Sequence, residues 1–194
     1  QFVEFIKSGT VTKGISGKMP DSHRQARDML AEIVGLPKLT NSNLSPEEVE
    51  KLEKEAYMKE RCYALLADLT EIFSIQLKAK SECYDILKNN YGLTDKTIDD
   101  CKIGYSNNER ITINGNIFPS VIDALKSKDY SEDEMVKSGA FYTKNGKLIA
   151  VFEKRIVFHY LHQGKIKYMI GRKTKWSYDP EGNMPKYIKL KTSS

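Results

Sequence analysis

Hydrophobic residues recur at helical spacing through the first half of the chain. Between Pro46 and Gly92 there is no further Gly or Pro, and apolar side chains return every three or four positions, at Met58, Cys62, Leu65, Leu69, Ile72 and Phe73. The segment Ser45-Pro46-Glu47-Glu48 begins this region with an N-cap, a proline at the first helical position and a capping box. We predict one long helix, or two helices broken near residues 78–81, whose apolar stripe is core.

Shorter elements are predicted on both sides of this segment. A helix is expected from residue 21 to about 34, with Ala26, Met29, Leu30 and Ile33 on one face, a stop at Gly35 and a polar connector at 38–45. Beyond the long helical segment, Thr94 begins a short helix that ends near Cys101, and residues 102–105 are predicted as a strand. Pro119 and the capping box at 131–134 each begin a further helix.

Turn signals in the second half separate short segments with strand character. Asn114-Gly115, Asn145-Gly146 and His162-Gln163-Gly164 each lie between two such segments, which predicts three β-hairpins. In the last of them, alternation places Lys165 and Lys167 on one face and Ile166, Tyr168 and Ile170 on the other. The fold class is therefore α+β: a small antiparallel or mixed sheet with surrounding helices, preceded by a long helical segment.

Charge is distributed unevenly along the 194 residues. The chain has a net charge of +5, but residues 141–194 carry 12 Lys/Arg against 3 Asp/Glu, a net of +9, whereas residues 1–140 have a net of −4. This asymmetry suggests a polyanion as the partner of the basic part, with a merely solvated basic surface as the alternative. Apolar runs are too short for a membrane span, and no signal peptide is visible.

Candidate catalytic and metal-binding groups are sparse. The three cysteines, Cys62, Cys83 and Cys101, are widely spaced, which predicts reduced thiols rather than a disulfide or a zinc site. His159 and His162 are not expected on one face of a strand, and no nucleotide-binding, hydrolase or zinc-protease motif is present. We therefore predict no catalytic residue and no metal ligand in this chain.

Cations alternate with aromatic residues in the basic part, from Lys165 to Lys191. Lysine and arginine can neutralise phosphates while aromatic rings stack on bases, the combination that single-stranded nucleic acid requires. The alternative is a solvated sheet edge whose lysines discourage aggregation. Composition and spacing leave these two interpretations open.

Sequence motifs from Tyr91 to Tyr187 resemble the N-terminal subdomain of the RNA-polymerase domain of bacterial-type DNA primases. Five segments carry the resemblance in order: YGLTDKTIDDCKIGY (91–105), VKSGA (136–140), FEKRIVF (152–158), GKIKYMIGR (164–172) and PKYI (185–188). The family usually has Arg where this chain has Tyr91, so one expected cation on the template path is missing. Glu153 and His159 are further departures, which indicates a divergent member.

The resemblance implies specific roles for several basic residues. Arg172, Lys186 and Tyr187 match positions that contact single-stranded DNA in the family, and Arg155 lies on the neighbouring strand. Lys165, Lys167 and Lys173 extend the basic run and are candidate nucleic-acid contacts as well. In this interpretation, the chain holds the template of a DNA primase, a DNA-directed RNA polymerase that synthesises primers for replication.

The resemblance also implies parts that this chain does not contain. The family has a zinc-binding domain before this region and, after it, a Toprim domain whose acidic residues hold the catalytic Mg²⁺ or Mn²⁺. We predict residues 1–44 as a helical linker region, 45–90 as a long helix or helix pair, and 91–194 as the α+β subdomain. Because the chain begins at Gln1 in mid-pattern, we expect an excised fragment or a processed product. Because the catalytic metals belong to the Toprim part, we expect this chain to be inactive alone.

The expected partners are a single-stranded DNA template and an RNA primer. A replicative helicase would be reached through parts outside this chain, and the expected location is the cytoplasm. Two alternatives remain: a stand-alone nucleic-acid-binding accessory module of a replication or mobile-element protein, and a protein-docking domain that uses the helix at 46–89.

Overall fold

Six helices and eight strands lie in the residues that the computed structural model describes, 21–33 and 45–191. The helices are α1 (Asp21–Ile33), α2 (Pro46–Ala79), α3 (Ser81–Asn89), α4 (Asp95–Asp100), α5 (Val121–Lys126) and α6 (Glu132–Lys137). The strands are β1 (Gly104–Ser106), β2 (Ile111–Ile113), β3 (Asn116–Phe118), β4 (Phe141–Lys144), β5 (Lys147–Ala150), β6 (Arg155–His162), β7 (Lys165–Lys173) and β8 (Tyr187–Lys189). The chain divides into two compact units, the first ending at Leu52 and the second beginning at Glu53.

Helix α2 confirms both the predicted start and the predicted break. The Ser45 N–H donates to Glu48 Oε2 at 2.7 Å and the Glu48 N–H donates to Ser45 Oγ at 3.2 Å, so the capping box is formed. The helix ends at Ala79, and α3 begins at Ser81. Its apolar stripe is core from Leu65 onward, as predicted, whereas Met58 and Cys62 are only half-buried.

Helix α1 is also present within the expected bounds. Of its predicted apolar face, only Ala26 is buried, while Met29, Leu30 and Ile33 are exposed within the first unit. The predicted stop at Gly35 and most of the polar connector at 38–45 lie outside the described residues. The start of the chain at Gln1 does so too.

Three two-residue turns connect the predicted hairpins. Asn114-Gly115, Asn145-Gly146 and Gln163-Gly164 all have positive φ angles, between 50° and 81°. Two successive left-handed residues form the type I′ turn that matches the twist of antiparallel strands. The hairpins β2–β3, β4–β5 and β6–β7 are therefore confirmed, with the last one inside a four-stranded antiparallel sheet of order β1-β6-β7-β8.

Two predicted boundaries shift by two residues for local reasons. Strand β1 begins at Gly104 rather than Lys102, because Lys102 has φ 47° and its N–H donates to Asp99 O at the end of α4. Helix α5 begins at Val121 rather than Pro119, because Ser120 is the N-cap and its Oγ accepts from the Asp123 N–H at 3.1 Å.

The predicted alternation along β7 is wrong beyond Lys167. Leu161 pairs with Ile166 and Tyr160 pairs with Tyr168, so Lys167 is an extra residue in a β-bulge. The bulge changes which side chains share a face, and the buried positions become Ile166, Met169 and Gly171 instead of Ile166, Tyr168 and Ile170. This shift also determines the face on which Arg172 lies.

Helices cover parts of both faces of the four-stranded sheet. One face contributes Val157 and Met169 to a cluster with Leu65, Leu69 and Phe73 of α2. The other face contributes Tyr105 and Ile156 to a second cluster, which includes side chains of α3 and α4 (Cys83, Leu87 and Ile98). Gly104 approaches Phe73 so closely that a Cβ atom would overlap it. The predicted α+β class is confirmed.

Candidate nucleic-acid interface

Arg172 and Tyr187 lie side by side at the β8 edge of the four-stranded sheet. They are direct cross-strand partners on β7 and β8, and Lys189 lies one pair further along opposite Ile170. Their neighbours Gly171 and Ile188 face the α2 side, where Gly171 approaches Phe152 and Ile188 packs on the core. Arg172, Tyr187 and Lys189 therefore share the opposite face.

Tyr91 adds an aromatic ring to this face from the segment that follows α3. The guanidinium carbon of Arg172 lies 4.8 Å from the centroid of the Tyr91 ring, within the range of a cation–π contact. Tyr91 remains 44% exposed and Tyr187 51% exposed, so both rings are accessible to a ligand. In the sequence, Tyr91 stands out only as a missing cation, because its contact with Arg172 joins residues 81 positions apart.

Lysines complete the cationic side of this surface. Lys186 is exposed, and its Nζ lies 5.7 Å from the Tyr187 ring centroid; Lys189 is exposed as well. We refer to Tyr91, Arg172, Lys186, Tyr187 and Lys189 as the basic–aromatic row. Its cations can contact phosphates, with Arg172 able to bind bidentately, while its rings can stack on bases or sugars.

Arg155 lies under this surface rather than on it. The residue is 2% exposed, and its Nη1 donates to the carbonyl oxygens of Pro185 at 3.1 Å, Lys186 at 3.4 Å and Gly171 at 3.5 Å. Burial lowers the pKa of the Arg155 guanidinium. The expected contact between Arg155 and DNA is therefore replaced by a positioning role, because its donors hold the segment that carries Lys186.

Lys173 also holds the loop between β7 and β8 in place through its side chain and its backbone. Its ammonium pairs with the Asp179 carboxylate, which lowers the pKa of Asp179, and Asp179 Oδ1 accepts from the Met184 N–H at 3.1 Å. The Lys173 N–H donates to Lys186 O at 2.8 Å. Lys173 thus stabilises the return of the chain to β8 and is already engaged by a carboxylate.

Lys165 and Lys167 lie against α2 and outside the basic–aromatic row. Lys165 Nζ is 2.6 Å from both Glu60 carboxylate oxygens, and Lys167 Nζ is 3.6 Å from the Tyr63 ring centroid. The predicted set of nucleic-acid contacts is thus divided by the fold. Arg172, Lys186 and Tyr187 are brought together, whereas Arg155, Lys165, Lys167 and Lys173 are placed elsewhere.

Within residues 21–33 and 45–191, no group of three or more His, Cys, Asp or Glu side chains could hold a metal ion. No helix in these ranges is long and apolar enough to cross a bilayer.

Known proteins share this fold. One structure is the Aquifex aeolicus primase with its zinc-binding and RNA polymerase domains, at TM-score 0.56 and 18% identity, covering 88% of this chain and 36% of that one. Another is the RNA polymerase domain of Mycobacterium tuberculosis primase DnaG in complex with double-stranded DNA, at TM-score 0.54 and 13% identity, covering 68% and 38%. A third is a DnaG primase catalytic domain bound to single-stranded DNA, at TM-score 0.54 and 18% identity, covering 71% and 41%.

At these identities, structural likeness shows a common fold, and the chain spans less than half the length of each of these three structures. A comparison with curated proteins found no match. The family comparison is decisive, because residues 72–194, more than half of the chain, match the family described as DNA primase catalytic core, N-terminal domain. The chain therefore belongs to the family of the N-terminal domain of the DNA primase catalytic core.

Proposed function

We propose that this chain holds the single-stranded template of a DNA primase that synthesises RNA primers for replication. The observation that carries the proposal is the basic–aromatic row, in which the guanidinium of Arg172 contacts the exposed Tyr91 ring and Arg172 is the cross-strand partner of exposed Tyr187. A solved primase catalytic domain of the same fold is bound to single-stranded DNA, which supports this assignment.

In this proposal the row positions the template, and other parts of the primase carry out nucleotidyl transfer. Arg172 binds a phosphate through its planar fork, Lys186 and Lys189 act as point charges, and Tyr187 stacks on a base or sugar. The catalytic Mg²⁺ or Mn²⁺ belongs to a Toprim part and Zn²⁺ to an N-terminal domain, both outside this chain. The RNA primer and a replicative helicase are the further partners of the whole enzyme.

The test is the salt dependence of binding to a fluorescently labelled single-stranded DNA oligonucleotide, followed by anisotropy. We expect Arg172→Ala and Lys186→Ala each to weaken binding and to reduce the slope of log K against log salt by about one unit, because each removes one phosphate contact. Lys96→Ala is the matched control, since Lys96 is an exposed lysine of α4. An unchanged slope in both row variants would reject the row as the template path.

The tyrosine provides a second test that does not depend on charge. Replacing Tyr187 by Leu removes a stacking surface, which contributes about 1–3 kcal/mol per base in single-strand binding. We expect weaker binding with an unchanged salt slope. Equal affinity of Tyr187→Leu and the original chain would show that the row binds DNA by charge alone.

A further inference from the structure

A groove runs along the side of α2 that faces α6 and the start of β7. Its larger part has a volume of about 650 Å³ and is lined by residues that include Met58, Cys62 and Lys137. A smaller part of about 290 Å³ adds Leu66 and Leu190. The two parts have Cys62, Lys137 and Lys59 in common and therefore form one continuous groove, distinct from the basic–aromatic row.

The floor and the rim of this groove differ in chemistry. The floor consists of the half-buried Met58 and Cys62 and the buried Leu66 and Leu190, and the ring of Tyr57, which is 66% exposed, also lines the groove. The rim is cationic, because four lysines and one glutamate are among the residues that line the two parts (Lys54, Lys59, Lys137, Lys167 and Glu55). An apolar floor between ammonium groups is matched by a ligand that carries apolar side chains among carboxylates.

We propose that this groove docks an acidic peptide segment of a partner protein, with its apolar side chains on Met58 and Cys62 and its carboxylates on the lysine rim. Grooves between helices take such segments through a few buried anchors, and the surrounding charges guide the encounter. The volume of the groove suits a few large side chains rather than an entire helix.

The surroundings of the groove favour carboxylates over phosphates as the ligand groups. Of the lysines that line the groove, Lys137 is already paired with Asp133 at 2.8 Å, whereas Lys59 and Lys167 form no salt bridge with any residue in the described ranges, so their ammonium groups remain available to a ligand carboxylate. A nucleic-acid strand needs open rings for stacking, but the Tyr63 ring is covered by Lys167 at 3.6 Å. This inference does not depend on the proposed template path.

The experiment uses a short fluorescein-labelled peptide with Leu and Phe among Asp and Glu residues. Binding is followed by anisotropy, and occupancy of the groove by the alkylation rate of Cys62. Cys101, which is exposed, and Cys83, which is buried, serve as internal references on the same chain. We expect saturable binding that slows alkylation of Cys62 and leaves Cys101 unchanged.

Charge reversal tests the rim. Lys59→Glu/Lys137→Glu should weaken peptide binding by about tenfold or more, because two attractive rim charges become repulsive. The matched control Lys96→Glu/Lys147→Glu reverses two exposed lysines that do not line the groove and should bind like the original chain. Arg172→Ala should also leave peptide binding unchanged, which separates this inference from the template path.

Three results would overturn the proposal. The first is no protection of Cys62 by the peptide. The second is equal binding of a peptide whose Leu and Phe are replaced by Ser, since that would mean that charge alone is recognised. The third is protection of Cys62 by an oligo-dT strand that displaces the peptide, which would assign the groove to nucleic acid.

Discussion

Arg155 and Arg172 carry the same charge but act in different ways in this protein. Arg155 is enclosed and donates only to backbone carbonyls, whereas the guanidinium of Arg172 lies over Tyr91 beside exposed Tyr187. The buried arginine therefore shapes the segment at 185–186, and the surface arginine is the one that can bind a phosphate.

Removing the buried guanidinium should cost stability. In Arg155→Met, the carbonyl of Pro185 loses its charged donor, whereas that of Lys186 keeps the Lys173 N–H; leaving an acceptor unpaired costs about 1–3 kcal/mol. Urea unfolding measures this loss. Arg172→Met is the control and should remain within about 0.5 kcal/mol of the original chain, as surface substitutions usually do. Equal stability of the two variants would contradict the positioning role of Arg155.

Glu134 connects α2 to α6 through one carboxylate. Arg61 Nε donates to Glu134 Oε1 at 2.5 Å, and the Ser131 N–H donates to Glu134 Oε2 at 2.8 Å in the capping box. The hydrogen bond from Arg61, followed by the backbone bond from Ser131, lowers the pKa of Glu134 from its ordinary value of 4.5 to about 2. The ionised form of Glu134 is thus more stable in the folded than in the unfolded chain.

This shift predicts the pH range in which stability depends on Glu134. The unfolded chain takes up the proton near pH 4.5 and the folded chain only near pH 2, so the contribution of Glu134 is complete above 4.5 and is lost as the pH falls to about 2. The melting temperature of Glu134→Gln should therefore fall less than that of the original chain as the pH is lowered from 4.5 to about 2. Glu132→Gln, on the same helix but exposed, is the control. An identical decline in all three chains would contradict this assignment.

At the scale of elements, α2 has an exposed beginning and a buried second half. Leu69 is fully buried in the larger core cluster, whereas Leu52 is 51% exposed. We expect Leu69→Ala to lower the free energy of unfolding by about 2–5 kcal/mol through loss of contacts and a residual cavity. Leu52→Ala on the same helix should change it by less than about 0.5 kcal/mol. Comparable losses in the two variants would show that burial does not distinguish the two halves.

Local signals determine most elements of this chain. Capping boxes at Ser45 and Ser131 and the three turns with glycine at their second position each depend on residues at most three positions apart. These elements could therefore be predicted from the sequence. The bulge at Lys167 could not be predicted, because the position of an extra residue in one strand is fixed by its register with the partner strand β6.

At the scale of the whole molecule, both core clusters lie within residues 53–191. The larger one extends from Leu65 to Leu190, and the smaller one from Leu77 to Ile156. We therefore predict that a chain of residues 53–194 unfolds cooperatively. For single-stranded DNA, its slope of log K against log salt should equal that of the original chain. Its melting temperature should lie within about 2–8 °C of the original, which is the shift that a loss of about 1 kcal/mol produces.

Calorimetry and the DNA titration test this prediction together. The chain of residues 53–194 lacks the capping box at Ser45, and such a cap contributes about 1 kcal/mol to the free energy of unfolding. A broad, non-cooperative transition of residues 53–194 would mean that the first 52 residues are needed for folding. The predicted division at residues 44 and 90 remains a prediction, and α2 and α3 share their core clusters with the sheet.

The sequence by itself determined the α+β class, the hairpins, the helix starts marked by capping boxes and the primase family, because these depend on short motifs and on their order. Only the tertiary structure decided which cations are available. Arg155 is buried because β6, β7 and the segment at 185–186 close around it, and Arg172 lies on the face opposite the α2 side because of the bulge at Lys167. Tyr91 meets Arg172 because α3 brings it there. Such contacts join residues far apart in the chain, and no local pattern encodes them.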